Sequence, residues 1–521
     1  MAQQRTAAEP VAQDWSRCVW PLLPPELAER IVGKLDRYDI LVSFRRVNKA
    51  TARHFSGPHT RVRLSKPVPP HAFAAHWLAP GATRDLNLER RRQLVRLVAA
   101  SGVQANLEMA LQAAGFVEAA TEALKSAAGA GNLPMCQWLQ DYSRSCGDGE
   151  FVQRNDHVAW RAAAGGGHRH VCNWLFLLTD CQPDEDAVPA AARAGHVGLA
   201  HELYRSILSV TVDDKYLSGV AHGCDLAALQ RVLQRFFGQP PYRLHAYHGL
   251  LADAAGSPTP DWAAKVEYLE AYGLLHSAQA VEAAAALPND GEALARLTWL
   301  RGRGYPLEPD ALSAAARSGN TAALQYLLAE APADVVRSVQ QWAAYDGAMG
   351  GHLAVLQALR AAGWPVHRHL AVAATGAARG GHLHVLAWLL SEQWPEAPHP
   401  PLLQKPGLFA LAAGSGSVEL LAWLREHGCP LDGDAFPAAV KAGCEAALEW
   451  LVGQGCPIEV DDDAPPASLP LLRGLLEAGC PVDLGALQRS VAGWRGRVWP
   501  LRDHEVLGLV LEHTFAAEAD S

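Results

Sequence analysis

Residues Ala374–Pro395 read ATGAARGGHLHVLAWLLSEQWP. Ala374, Ala377 and Ala378 are small enough to let two backbones approach, and the pair Gly380-Gly381 interrupts a first helix. Leu383, Leu386, Leu389 and Leu390 then recur at helical spacing and form an apolar stripe. Pro395 breaks the chain again. The unit is helix, tight turn, helix, loop.

The same unit returns through most of the chain. Its turns fall at Gly131, Gly167-His168, Gly195-His196, Gly319, Gly351-His352, Gly381-His382, Gly416 and Gly443, each followed by a helix with an apolar stripe. A copy in shifted register starts at Cys224-Asp225, and weaker copies end near Tyr268-Leu269, Trp299-Leu300, Leu475-Leu476 and Val510-Leu511. Turns at 351, 381, 416 and 443 lie 30, 35 and 27 residues apart. A period of that size predicts an all-α helical solenoid in place of one globular core.

The segment Gly-His-Leu-x-Val-Leu-x-x-Leu at 351–359 and 381–389, preceded by Ala-rich helices, resembles the ankyrin repeat. The resemblance covers residues 86–515 in about a dozen uneven copies. The family's Thr-Pro-Leu-His opening is missing throughout, Trp replaces an aliphatic residue in many second helices, and the family hairpins are expected to shrink to plain loops. Tetratricopeptide repeats are the competing assignment; the Gly-His turn and irregular period favour ankyrin. A dozen pairs at roughly 10 Å each predict a curved solenoid on the order of 100 Å long, whose concave face binds a target protein.

Ahead of the array, residues 1–14 read as a flexible tail and residues 15–56 as a small helical module. Pro24 and Pro25 suit a helix start, with Leu27, Ile31 and Leu35 on one face, and Asp39 can cap a second helix carrying Ile40, Phe44 and Val47. Leu23, Pro24, Glu26, Leu27, Ile31, Leu35 and Val47, with Asp39, Leu41 and Asn48, resemble the F-box. The Trp that often follows the closing motif is replaced by Ala50 and Thr51. F-boxes bind a Skp-type adaptor of cullin-type (SCF-like) ubiquitin ligases, so the resemblance implies such an adaptor as a partner, with these residues docking it. The alternative is a stand-alone ankyrin scaffold whose N-terminal helices only cap the array near Leu94–Val98. Residues 57–85, with Pro58, Pro67, Pro69, Pro70 and Pro80, read as a stiff connector into which Phe73 and Trp77 can dock; 516–521 form a C-terminal tail.

Composition bounds the rest. The chain of 521 residues is 49% hydrophobic, and a solenoid escapes the size limit of a single core because each repeat packs only on its neighbours. No apolar run approaches the roughly 20 residues of a bilayer span, and the N-terminus lacks an apolar signal region. Cys429, Cys456 and Cys480 fall in equivalent Gly-Cys-Pro loops of successive repeats, which stack roughly 8–10 Å apart, wider than a disulfide's limit of about 7 Å. With no CxxC pair, the cysteines read as reduced thiols of an intracellular protein, cytoplasmic or nuclear.

Residues 1–100 hold 17 Lys and Arg against 8 Asp and Glu, while the whole chain is −9. The cluster Arg90-Arg91-Arg92 with Arg96 lacks the aromatic interleaving of a nucleic-acid site and is expected to be a solvated helix face. His168, His170 and Cys172 have metal-like spacing, yet His recurs at the same position in His196, His352 and His382, which predicts a turn-stabilising hydrogen bond. Trp138, Trp174, Trp388, Trp423 and Trp450 recur likewise and predict packing between repeats. Asp461-Asp462-Asp463 lacks calcium-loop spacing. No phosphate-binding loop, His-Glu-x-x-His or Gly-x-Ser-x-Gly elbow occurs. The expectation is a non-catalytic interaction protein without cofactor, metal, nucleic acid or membrane.

Overall fold

The computed structural model describes residues 63–456, apart from 80, 117, 146–149, 180–182, 208–211, 238–248, 365, 392–401 and 406, together with Leu27, Arg30, Val32 and Lys34. The other residues of the N-terminal module, and the copies near 475 and 510, lie outside the described residues. What is described is all-helical, with 26 α-helices and no strand. None of these helices is long and apolar enough to cross a membrane.

Twelve helix pairs follow one another, from Leu88–Ser101 with Gln104–Ala114 to Ala435–Ala442 with Glu445–Gly453. The first helix of each pair packs closely on the first helix of the next, whereas the second helices touch one another far less. Side-chain size explains the difference. The first helices are built of Ala, as in Ala119, Ala120, Ala123, Ala127 and Ala128, or Ala373, Ala374, Ala377 and Ala378, all buried. Second helices present Leu with a bulky partner such as Trp138, Trp388 or Trp450 packed against the core. Narrow wedges inside and wide ones outside curve the stack, so the first helices form the inner layer and the second the outer.

The curve brings the first and the last described helix pairs together. Arg91 Nη2 donates to Glu445 Oε1 at 2.5 Å, Arg84 pairs with Glu449, and Ala446 N–H donates to Arg84 O at 3.3 Å. Asn87 Nδ2 also donates to Ser415 O at 3.3 Å. Arg91 corrects the expectation of a solvated basic face. It is fully buried, and its guanidinium also donates to the carbonyls of Leu86, Ala114 and Thr83. Arg92 and Arg96 are paired too, with Glu89 and Glu118 and with Glu89 and Glu122.

The segment read as connector holds an element of its own. Pro70–Trp77 is a helix opened by its proline, since the first helical turn needs no N–H from Pro. It packs on Gln104–Ala114, burying Phe73, and Asn106 Nδ2 donates to Val68 O at 2.8 Å. Residues 68–77 thus cover the outer helix of the first pair.

Candidate interaction surface

Each repeat turn needs two unusual residues. Gly131, Gly167, Gly195, Gly319, Gly351, Gly381, Gly416 and Gly443 all have φ between 67° and 85°, the left-handed region that L side chains avoid. At Gly381 the motif is complete: His382 N–H returns to Ala377 O at 2.8 Å, the six-to-one bond that closes a helix end. The same bond runs from His168 to Ala163, His196 to Ala191 and His352 to Gly347.

The histidine side chains then tie one repeat to the one before. His168 Nε2 donates to Gly129 O at 3.1 Å, His352 to Arg317 O at 3.1 Å and His382 to Met349 O at 2.9 Å. Every acceptor lies in the last turn of the preceding inner helix, where orphan carbonyls and the negative end of the helix dipole favour a donor. The His382 ring also lies against Gly351, where a Cβ would come within 2.7 Å, and the His196 ring lies equally close to Gly167. His170 and His384 add bonds to Gly131 O at 2.9 Å and Gly351 O at 3.0 Å. Because a carbonyl only accepts, each of these Nε2 atoms carries its proton and has no lone pair to offer a metal. Burial lowers the His382 pKa, so its neutral form is favoured.

The donor position outlives the histidine. Asn320 Nδ2 donates to Ala285 O at 2.8 Å and Leu287 O at 2.7 Å, and Cys224 Sγ donates to Ala192 O at 3.3 Å. In the two pairs between 250 and 302 the turn is irregular, and the donor moves into the outer helix. Lys265 Nζ donates to Ala221 O at 2.6 Å, Cys224 O at 2.9 Å and Ser257 Oγ at 2.7 Å. Arg296 Nη1 donates to Ala255 O at 2.6 Å and Ser257 O at 2.7 Å, with its guanidinium 4.7 Å from the Trp262 ring. Sequence reading misses both residues; the available signal is a lone cation on the apolar stripe of an outer helix, beside Val266 in one case and Leu297 in the other.

The exposed side of the inner layer is charged and cross-linked. Arg96 meets Glu122 at 2.6 Å, Lys215 meets Asp186 at 2.5 Å, Arg193 meets Asp253 at 2.6 Å and Arg317 meets Asp346 at 3.0 Å, while Arg161 pairs with Asp184. Trp342 and Met349, seven residues apart on one inner helix, add an apolar patch, with Trp342 55% exposed. This is a surface of mixed charge beside an exposed aromatic side chain.

Of the residues expected to dock an adaptor, Leu23, Pro24, Glu26, Ile31, Leu35 and Val47 lie outside the described residues. Leu27 is helical and 43% exposed; Arg30 and Lys34, on the same helical face, are exposed, whereas Val32 on the opposite side is buried.

Among the described residues six cysteines are free and buried. Burial pushes the Cys136 and Cys172 thiols up to about 12 and those of Cys224 and Cys429 to about 11, so all four stay protonated and unreactive near neutrality. No group of three or more His, Cys, Asp or Glu among the described residues is arranged to hold a metal. No known protein family matches the chain, and no curated protein matches it at a significant level.

Proposed function

We propose that this chain is a divergent ankyrin-repeat protein with an N-terminal F-box-like module, acting as the non-catalytic substrate-recognition subunit of a cullin-type ubiquitin ligase. The module docks a Skp-type adaptor through Leu23, Pro24, Leu27, Ile31 and Leu35, and the concave face of the array holds the target. The observation that carries the reading is the helix Pro70–Trp77. It covers the outer helix of the first repeat pair, so that helix does not need the module as a cap. Exposure of Leu27 supports the same reading, because an apolar side chain at a helix surface is available to a partner.

Binding of the full-length protein to a purified Skp-type adaptor tests it. Full burial of a Leu or Ile side chain contributes about 1.5–3 kcal/mol, so Leu27→Asp with Ile31→Asp is expected to weaken binding by at least ~100-fold while circular dichroism stays unchanged. An intact protein that binds no adaptor of its own cell leaves a stand-alone scaffold.

A further inference from the structure

We propose that the turns at Gly416 and Gly443 form a docking site whose occupant is this chain's own segment 84–91, a strap pinned by one ion pair that seats and releases as a unit. The device does not depend on what the array binds. The receiving side is acidic, with Glu445 and Glu449 on one helix, and the strap meets them with Arg91 and Arg84. Asn87 closes two helices with one amide. Its Oδ1 accepts from Arg90 N at 3.0 Å, and its Nδ2 donates at 3.3 Å to the carbonyl of Ser415, the last residue of Leu408–Ser415.

Turn glycines make the seat. Elsewhere such a glycine receives the side chain of the next repeat, as Gly351 receives His382. At Gly416 the next repeat brings the smaller Cys444, 3.3 Å from where a Cβ would stand, and Asn87 Cβ comes equally close at 3.2 Å. At Gly443 the neighbour is Leu88, whose Cβ lies 3.2 Å from the corresponding point. Two successive turns of the array thus hold two successive residues of the strap.

Arg91 makes the strap one piece. Its guanidinium donates to the carbonyls of Thr83, Leu86 and Ala114, which ties the turn at 83–86 to the first helix pair, and the Nη2 that reaches Thr83 O also reaches Glu445 Oε1. Arg91 is fully buried and Glu445 is the carboxylate that pairs with it, so a seam drawn slightly apart leaves a buried cation facing carbonyls alone. Half-open arrangements are disfavoured for that reason. The other contacts are weak. Arg84 and Glu449 are half exposed and contribute little, and Leu88–Ser101 packs along neither Ala435–Ala442 nor Glu445–Gly453. A cavity of about 280 Å³, lined by Asp85, Asn87, Arg90, Ser415, Ser417 and Glu419, offers water polar partners inside the seam.

Chemical bridging of the full-length protein tests the strap. Arg84→Cys with Glu449→Cys places two thiols at the edge of the seam, where the native side chains are 50% and 46% exposed. The double variant is treated at high dilution with bismaleimidoethane, its bridging rate is normalised to labelling by N-ethylmaleimide, and each single variant supplies the background of the native thiols. A bridge within one molecule is expected, identified by mass spectrometry after digestion. Adding Glu445→Lys is expected to slow that bridge about tenfold or more. No bridge in the double variant overturns the docking, and bridges that join two molecules overturn an occupant from the same chain. A rate unchanged by Glu445→Lys overturns the pin. Should that variant fail to fold by circular dichroism, the isosteric Glu445→Gln replaces it, read the same way.

Discussion

Lys265 is a fully buried cation with three acceptors, two of them carbonyls at the end of the inner helix Val212–Gly223. Desolvation lowers its pKa to about 8, with the carboxylate of Asp261 pulling the other way. Asn320 does the same bonding with a neutral amide and His382 with a ring whose neutral form burial favours, so the position demands a donor and not a charge. A lysine whose folded pKa lies below its unfolded value of about 10.4 binds more protons when unfolded, and its contribution to stability therefore rises with pH between about 8 and 10.4. Buried phenols and thiols work in the opposite direction above pH 9, since burial raises Tyr216 to about 12 and Cys224 to about 11. Comparison with Lys265→Met isolates the lysine. Relative to that variant, the native chain is expected to gain about 3 kcal/mol of unfolding free energy from pH 7.5 to pH 10.5, measured by urea denaturation. A difference that stays constant over the range would show that the ammonium is not desolvated. The histidines of this ladder are visible in the sequence because they recur; Lys265 and Arg296 occur once each, and a lone cation in a helix ordinarily marks a solvated face.

Inner helices depend on what is missing from their side chains. Gly376 lies within the helix Leu370–Gly380, where intrinsic propensity favours Ala by about 1 kcal/mol. Yet a Cβ there would stand 2.5 Å from Tyr345 O and 3.2 Å from Met349 N on the neighbouring inner helix. Backbone, unlike a flexible side chain, has little room to yield. Gly376→Ala is therefore expected to destabilise the protein by about 1–3 kcal/mol, against its propensity, with a lower thermal midpoint in a calorimetric scan. An unchanged or raised midpoint would mean that the two helices are not in contact there. Alternation of Ala-rich and Leu/Trp-rich helices, with Gly at each turn, is why the helix pairs were readable from residue order. Pro70–Trp77 was not, because a proline-rich run reads as an extended spacer until a partner such as Gln104–Ala114 rewards its apolar face.

Residue order predicts a curved solenoid on the order of 100 Å long, and its first and last described pairs meet. Nothing local announces the seam: Arg91 and Glu445 are 354 positions apart, and the closure depends on the sum of small wedge angles over twelve pairs. Closure changes how the molecule transmits strain. In an open array each repeat is coupled to its neighbours alone, so damage at the first pair fades before it reaches the last. With the ends in contact, the first pair gains the last as a neighbour. Val95 is fully buried in the first inner helix, and Val95→Ala is expected to loosen it by roughly 2 kcal/mol. If about 1 kcal/mol of that reaches across the seam, amides of Glu445–Gly453 exchange with solvent about fivefold faster, while those of Asp290–Gly302, near the middle of the array, change less. Hydrogen exchange followed by mass spectrometry separates the cases. An effect that decays along the chain and leaves Glu445–Gly453 untouched describes an open array, and an effect that skips the middle and reappears at the far end requires the contact through Arg91.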